Sequence, residues 1–459
     1  MGAGSIQLAA VGPQDFHLTA NPQITFFKSV YKRHTNFSKE VKRIFFNGDQ
    51  TPNFGLTDVK AEIQKEGDLL GNVFLEINIT GLGDSGTSEV NRTVANFSNS
   101  LIDKIQCDIG GYTIDTHYGR FYQILDEIEG NAHEDNQLQS DDGNGGKYVN
   151  INRSNDTAQN IEVINSYNRL KGNYTLCFSG EHGNGENTTP HNTEYVKRFY
   201  YPLKFWFNKN PGQYLPMVSL FKHKVSLLFD FATKNKVIGN ATNLTTFNMS
   251  AKLFGEFYFL DKSEKTRFAQ SNHEYIIEQV QLNTNNRIIT PVVTAPSTES
   301  ALTDYELFFN HPVKYMVWVV VNEGDTGNNR GQGPCYFVSL TNSSAYGNDG
   351  NNGTVELFLE GVTREIEMPM IYYTRYLPSK LLKAVPVLDR IGFYSFALNP
   401  LDPEPSGTCN FSKLYNKNMK MVFGNNQSAN ALSQKDLYIY AVNYNVLTIT
   451  NGMAVVRYA

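Results

Sequence analysis

Charge, cysteine and long apolar runs are all scarce in this chain. Charged side chains make up 19% of the 459 residues, below the roughly 25% typical of soluble domains. The longest strongly apolar run, Tyr315 to Val321, is seven residues, against about 20 for a bilayer-crossing helix, so no segment is expected to span a membrane. The opening Met1-Gly-Ala-Gly-Ser-Ile-Gln-Leu8 has neither the basic start nor the apolar stretch of a secretory signal, and synthesis in the cytosol is expected. Four scattered cysteines, Cys107, Cys177, Cys335 and Cys409, form no CxxC pair. That excludes a disulfide scaffold and leaves reduced, mostly buried thiols. Basic residues come only in short groups such as Lys32-Arg33-His34 and Lys42-Arg43, and the formal net charge is −5. An electrostatic groove for nucleic acid is therefore not expected.

Chemistry-bearing patterns are equally sparse. The nine histidines (17, 34, 117, 133, 182, 191, 223, 273, 311) contain no HxxxH or HxH pair, and no cysteine stands at zinc-ligand spacing to one. His273 and His311 read as buried or hydrogen-bonding histidines at strand ends. No GxSxG nucleophile elbow occurs. Glycosidase carboxylates can come from distant strands, but the acidic residues here read as solvated strand faces. Asp141-Asp142-Gly-Asn144 and Asn348-Asp349-Gly-Asn351 offer oxygen ligands without EF-hand spacing, and read as loop chemistry. No catalytic residue, cofactor or metal is expected.

What the chain does have is aromatic and alternating. Its 30 Phe and 26 Tyr suit a pleated surface. Period-2 alternation recurs at Val73, Leu75, Ile77 and Ile79, at Val225 to Phe231, at Val355, Leu357 and Leu359, and at Met419, Met421 and Phe423. Many short strands between Gly, Asn and Pro signals imply antiparallel sandwiches or barrels. Two stretches carry helical spacing. In Gly119 to Gly130 the apolar positions are Phe121, Ile124, Leu125 and Ile128; in Asn21 to Tyr31 a candidate N-cap, Asn21, and Pro22 precede Ile24, Phe27 and Tyr31.

The most informative pattern is an ordered internal repeat. Gly110-Gly111, Thr113 to His117 and Tyr118 to Leu125 in the first half match Leu359-Glu-Gly361, Arg364 to Ile366 and Tyr372 to Leu377 in the second. Next come two aromatic strands ending in Asn with Pro close behind, Tyr201 to Asn208 and Tyr394 to Asn399. Lys224 to Phe229 then matches Lys420 to Phe423, and Phe257 to Leu260 matches Tyr438 to Ala441. Gly111 to Asn208 is 97 positions and Gly361 to Asn399 is 38, so the first copy carries about 59 extra residues, within the polar stretch Asn131 to Thr193. That stretch buries little and should form a long exposed loop. The copies divide near Asp261 to Arg267, with the second beginning about Phe268.

At these residues the chain resembles the double jelly-roll major capsid proteins of the nucleocytoplasmic large DNA viruses that infect algae and amoebae. The resemblance rests on Gly12-Pro-Gln-Asp15 with Asn21 to Lys28 and Tyr31 to Phe37, and on Phe259-Leu-Asp261 with Thr266 to Gln270 and His273 to Tyr275. It continues through Phe309-Asn-His-Pro312 with Lys314-Tyr315, Tyr394 to Leu398 with Pro405 to Ser412, and Asn443 to Leu447. It covers most of 1–130 and 195–459 and lapses in 131–193 and 322–353.

The resemblance implies an all-β fold of two tandem eight-stranded antiparallel jelly-roll sandwiches, with few short helices and long outer loops. The domains expected are an N-terminal arm over 1–24, a first jelly roll over 25–267 and a second over 268–459. It further implies a homotrimeric, pseudo-hexagonal capsomer contacting neighbouring capsomers, minor capsid and penton proteins, above an inner viral membrane, with assembly in the host cytoplasm. The small, polar start of the arm suits a flexible tether. Sequons are frequent, and Asn187, Asn243, Asn342 and Asn352 are the candidate glycosylation sites because they lie in polar loops. The alternatives are a carbohydrate- or receptor-binding β-sandwich of fibre or lectin type, suggested by Tyr- and Asn-rich loops, and a β-sandwich glycoside hydrolase, which no motif supports.

Overall fold

The computed structural model describes residues 3–10, 19, 21–29, 31–80, 92–93, 97–129, 198–240, 247–283, 301–322, 334–335, 337, 340, 353–382, 385–386, 390–423 and 435–458. Contacts divide the chain into two compact units, 1–37 and 38–459.

In the first unit a helix, α1 (Ala3–Ala9), forms where a flexible start was expected; its Ala, Leu and Gln are strong helix formers. The helix expected over Asn21 to Tyr31 is not formed by the described residues there. Asn21 has φ +52° rather than the extended backbone of an N-cap. The Thr25 hydroxyl accepts the Phe27 N–H at 3.3 Å, which turns the chain locally. Ile24, Phe27 and Tyr31 are exposed, so an apolar stripe there gains no burial to offset the cost of nucleating a helix.

The second unit repeats one topology. Besides four strands of two to four residues (Arg92–Thr93, Ile238–Asn240, Cys409–Asn410 and Met453–Val456), its first eight strands are β1 (Phe37–Ile44), β2 (Val59–Ile63), β3 (Leu69–Thr80), β4 (Ile102–Ile109), β5 (Tyr112–His117), β6 (Arg198–Pro202), β7 (Val225–Phe231) and β8 (Asn248–Leu260). They form two sheets ordered β1-β8-β3-β6 and β2-β7-β4-β5. Eight more follow: β9 (His273–Asn283), β10 (Ala301–Glu306), β11 (Pro312–Asn322), β12 (Thr354–Leu359), β13 (Val362–Pro369), β14 (Ile391–Ser395), β15 (Lys417–Phe423) and β16 (Lys435–Thr450). Their sheets run β9-β16-β11-β14 and β10-β15-β12-β13. Each order is the earlier one shifted by eight strands. The fold is a double jelly roll, as expected.

The hairpins β4-β5 and β12-β13 repeat in detail. Each turns through two residues of positive φ, Gly110 (65°) and Gly111 (88°) in one, Glu360 (54°) and Gly361 (74°) in the other. Such turns follow the right-handed twist of the strands they join. Each hairpin then bulges one residue later. Asp108 pairs Thr113 and Cys107 pairs Asp115, skipping Ile114; Phe358 pairs Thr363 and Leu357 pairs Glu365, skipping Arg364.

The helix expected from Gly119 is α2 (Gly119–Ile128), and Phe121, Ile124, Leu125 and Ile128 are its buried face; Gly130 lies outside the described residues. In the second copy the corresponding segment is a π-helical turn, Tyr372–Tyr376, running into α4 (Leu377–Leu381). A further helix, α3 (Lys262–Gln270), occupies the charged stretch between the copies, where none was expected. The Asp261 carboxylate caps it by accepting the Ser263 N–H. Tyr201 to Asn208 is not one strand: β6 stops at Pro202 and Trp206–Lys209 is helical.

The apolar run at Tyr315 to Val321 lies on β11 and is buried on both faces. Met316, Trp318 and Val320 enter the core of the second jelly roll, whereas Tyr315, Val317, Val319 and Val321 join the core cluster that includes Phe121, Ile124 and Ile128 of the first. A strand covered on both sides has no reason to alternate.

Candidate assembly surfaces

The junction between the jelly rolls is built edge to edge. Strands β5 and β9 are edge strands of their sheets, and an open edge is a row of unpaired peptide groups. Here each edge covers the other. The Val280 N–H on β9 donates to Asp115 Oδ1 on β5 at 3.0 Å, and the Gln279 side chain donates to the carbonyl of Ile114, the residue the bulge leaves unpaired. Asp115 is held from behind. Tyr122 Oη accepts the Lys204 N–H at 2.9 Å, which leaves its proton for His117 Nδ1 at 3.1 Å, and His117 Nε2 meets Asp115 Oδ2 at 2.8 Å. The imidazole stacks on Phe205 with centroids 4.4 Å apart.

A charge network anchored on one buried lysine closes the same seam. Glu278 on β9 lies 2.8 Å from Lys209 of the first jelly roll and 2.6 Å from Lys314 on β11, whose side chain is fully buried. Lys314 also donates to the Asp402 carbonyl at 2.6 Å. Burial alone would raise the Glu278 carboxyl, but Lys209 and Lys314 outweigh it and hold it below the usual carboxylate range. Burial dominates at Lys314 and lowers its ammonium, with Glu278 opposing.

Further along, Arg120 of α2 donates to the Pro334 carbonyl at 2.9 Å and lies 3.8 Å above the Tyr438 ring. The loop before β7 is tied down as well: Lys222 N–H donates to the Gly452 carbonyl at 3.0 Å, and Ala454 N–H to His223 Nδ1 at 3.2 Å.

Two further edge strands, β1 and β13, display apolar side chains. Strand β1 bounds one sheet of the first jelly roll and β13 bounds one sheet of the second. On β1 and just past it, Val41 and Phe45 are 50% and 57% exposed; on β13, Val362 and Ile366 are 68% and 67% exposed. The first edge carries Lys39, Lys42 and Arg43 against Glu40, and the second Glu365 and Glu367 against Arg364. Beside β13 an open groove of about 630 Å³ is lined chiefly by Met368, Ile371, Tyr372, Arg375 and Tyr376.

The four candidate glycosylation sites, Asn187, Asn243, Asn342 and Asn352, lie outside the described residues, as do Cys177, the long polar stretch 131–193 and both Asp/Asn loops. Cys107 and Cys335 are buried and Cys409 half-buried, all as free thiols. His273 opens β9 with Nε2 2.8 Å from the Phe268 carbonyl. His311 sits just before β11 at φ +63°, where burial lowers its imidazole. The junction residues Asp115, Gln279, Lys209 and Glu278 were not singled out by sequence. The one usable signal was a carboxylate four positions after each Gly-ended turn, Asp115 after Gly111 and Glu365 after Gly361.

A family model described as major capsid protein N-terminus matches residues 25–261, and one described as large eukaryotic DNA virus major capsid protein matches 264–455. The major capsid protein of Paramecium bursaria Chlorella virus 1 is 31% identical over 496 aligned positions, and that of Pyramimonas orientalis virus 32% over 483, each alignment covering 100% of both chains. The crystal structure of PBCV-1 VP54, fitted into a cryo-EM reconstruction of the virophage Sputnik, superposes with a TM-score of 0.70 at 27% identity. That superposition covers 95% of this chain and 100% of VP54.

Proposed function

The chain belongs to the family of large eukaryotic DNA virus major capsid proteins, and on that premise we propose that it is the repeating tile of an icosahedral shell. Three copies close into a pseudo-hexagonal capsomer of six jelly rolls, and capsomers cover an internal membrane and a double-stranded DNA genome. The observation that carries this reading is one topology repeated in full along one chain, with the two copies sharing a buried seam. Two like lobes per chain and three chains per ring supply six similar edges, which is what a surface tile needs.

Within this reading the arm covers 1–24, the first jelly roll 25–267 and the second 268–459; the two family models meeting between 261 and 264 support the last division. The arm tethers the capsomer to neighbours or to minor capsid and penton proteins. Asn187, Asn243, Asn342 and Asn352 carry any loop sugars, and assembly takes place in the host cytoplasm. The protein acts by contact rather than catalysis, and its net charge of −5 argues against direct contact with the genome. A glycan-binding role fits less well, because the groove beside β13 is walled mostly by apolar atoms, whereas sugar sites need polar partners beside their rings.

Light scattering on the purified chain tests the central claim. Three chains of 51.7 kDa give about 155 kDa; a monomer at micromolar concentration overturns the reading.

A further inference from the structure

The two jelly rolls have corresponding edge strands, and within the chain two of them are joined: β5 of the first copy meets β9 of the second. The fold maps β5 onto β13 and β9 onto β1. Both β13 and β1 are edge strands of their sheets. We propose that β13 of one copy docks against β1 of the next, repeating between chains the junction that β5 and β9 make within one. The proposal rests on the trimer reading and names the surfaces that close the ring.

Three observations support the pairing. First, the docking element is preformed. The turn, the bulge and the carboxylate that caps the β9 edge in the internal junction all recur on β13, where Glu365 takes Asp115's place in the register. In the single chain Glu365 has no strand edge to cap, and it accepts from Tyr394 Oη at 3.5 Å. Second, both open edges display apolar side chains, Val362 and Ile366 on one and Val41 and Phe45 on the other. Third, the signs match: cations predominate on β1 and carboxylates on β13, a bias that steers encounter and fixes register. The contact is head to tail, so it either closes into a ring or runs on as a filament. It cannot form a two-fold dimer.

That directionality gives the test. Val41→Asp blocks β1 and Ile366→Asp blocks β13, and both residues are exposed, so the fold should survive. Each variant alone should be monomeric under conditions where the wild type is a trimer. Mixed one to one, they should form a dimer and stop, because each supplies the edge the other lacks. A lone junction is weaker than a closed ring, whose last contact is intramolecular, so the mixture is read at roughly tenfold higher concentration. Unchanged melting temperatures certify the fold; Val362→Asp replaces Ile366→Asp if that variant does not fold.

A variant that remains trimeric, or a mixture that stays monomeric or forms trimers, overturns the pairing while leaving the capsomer reading intact. A wild-type chain that is itself monomeric overturns both.

Discussion

Strands β5 and β13 are one element built twice, with the same turn, the same bulge and a carboxylate at the same register position, yet their surroundings are opposite. Along β5, Ile114, Asp115 and His117 are buried; along β13 every described residue is at least partly exposed. The local backbone is set by the hairpin, whereas side-chain choice follows what covers the strand. Covered, the edge carries a shielded Asp-His pair whose polar atoms need partners. Uncovered, it carries Glu365, Ile366 and Glu367, which tolerate water and remain available.

The largest expected effect separates the two lobes. Trp318 is fully buried in the second core, lying so close over Gly392 that a Cβ there would come within 2.0 Å of the indole. Trp318→Ala should cost about 4 kcal/mol and, in urea, make the second jelly roll unfold before the first. A single transition at the wild-type midpoint would contradict two separable cores.

Next is the seam. Glu278→Gln leaves Lys314 buried without its counter-charge and should cost about 3 kcal/mol, read as a lower melting temperature. The same group gives the wild type an acid limb. Its folded pKa is lowered, so between that value and the usual glutamate value the unfolded chain binds more protons and stability rises with pH. The contribution is complete above about pH 4.5 and is lost as pH falls through the lowered value. In Glu278→Gln that limb should flatten.

The third test sets the paired carboxylates against each other. Asp115→Asn should cost about 2 kcal/mol in the isolated chain through its buried partners. Glu365→Gln should cost under about 0.5 kcal/mol there while weakening assembly in a dilution series. Equal costs in the isolated chain would remove the distinction between covered and open edge. A last effect is shared by both hairpins: a Cβ at Gly111 or Gly361 meets nothing within 4 Å, so alanine at either should cost only backbone strain, about 1 kcal/mol. A clear inequality would show that the turns are not equivalent.

Much of this architecture was legible in the sequence because it is local. Alternation marked β3, β7, β12 and β15, the apolar spacing from Phe121 to Ile128 marked α2, and the order of turns and aromatic strands exposed the repeat. What was not legible depends on distant partners. Asp261 to Arg267 read as a charged divide, and only the cap by Asp261 discloses a helix with no buried face. Ile24, Phe27 and Tyr31 have helical spacing, which is worthless without something to bury against. Asp115, Gln279, Lys209 and Glu278 look like ordinary surface polar residues, and become a seam only when the two copies are brought together.

The two-faced burial of β11 bears on shell curvature. A strand that serves one core with its even residues and the neighbouring lobe with its odd ones leaves no hinge between the lobes, so bending there would open apolar surface on both sides. In the shell proposed above, the stiffness would reside within each tile, and the angles that round the shell would be taken up at the boundaries between tiles.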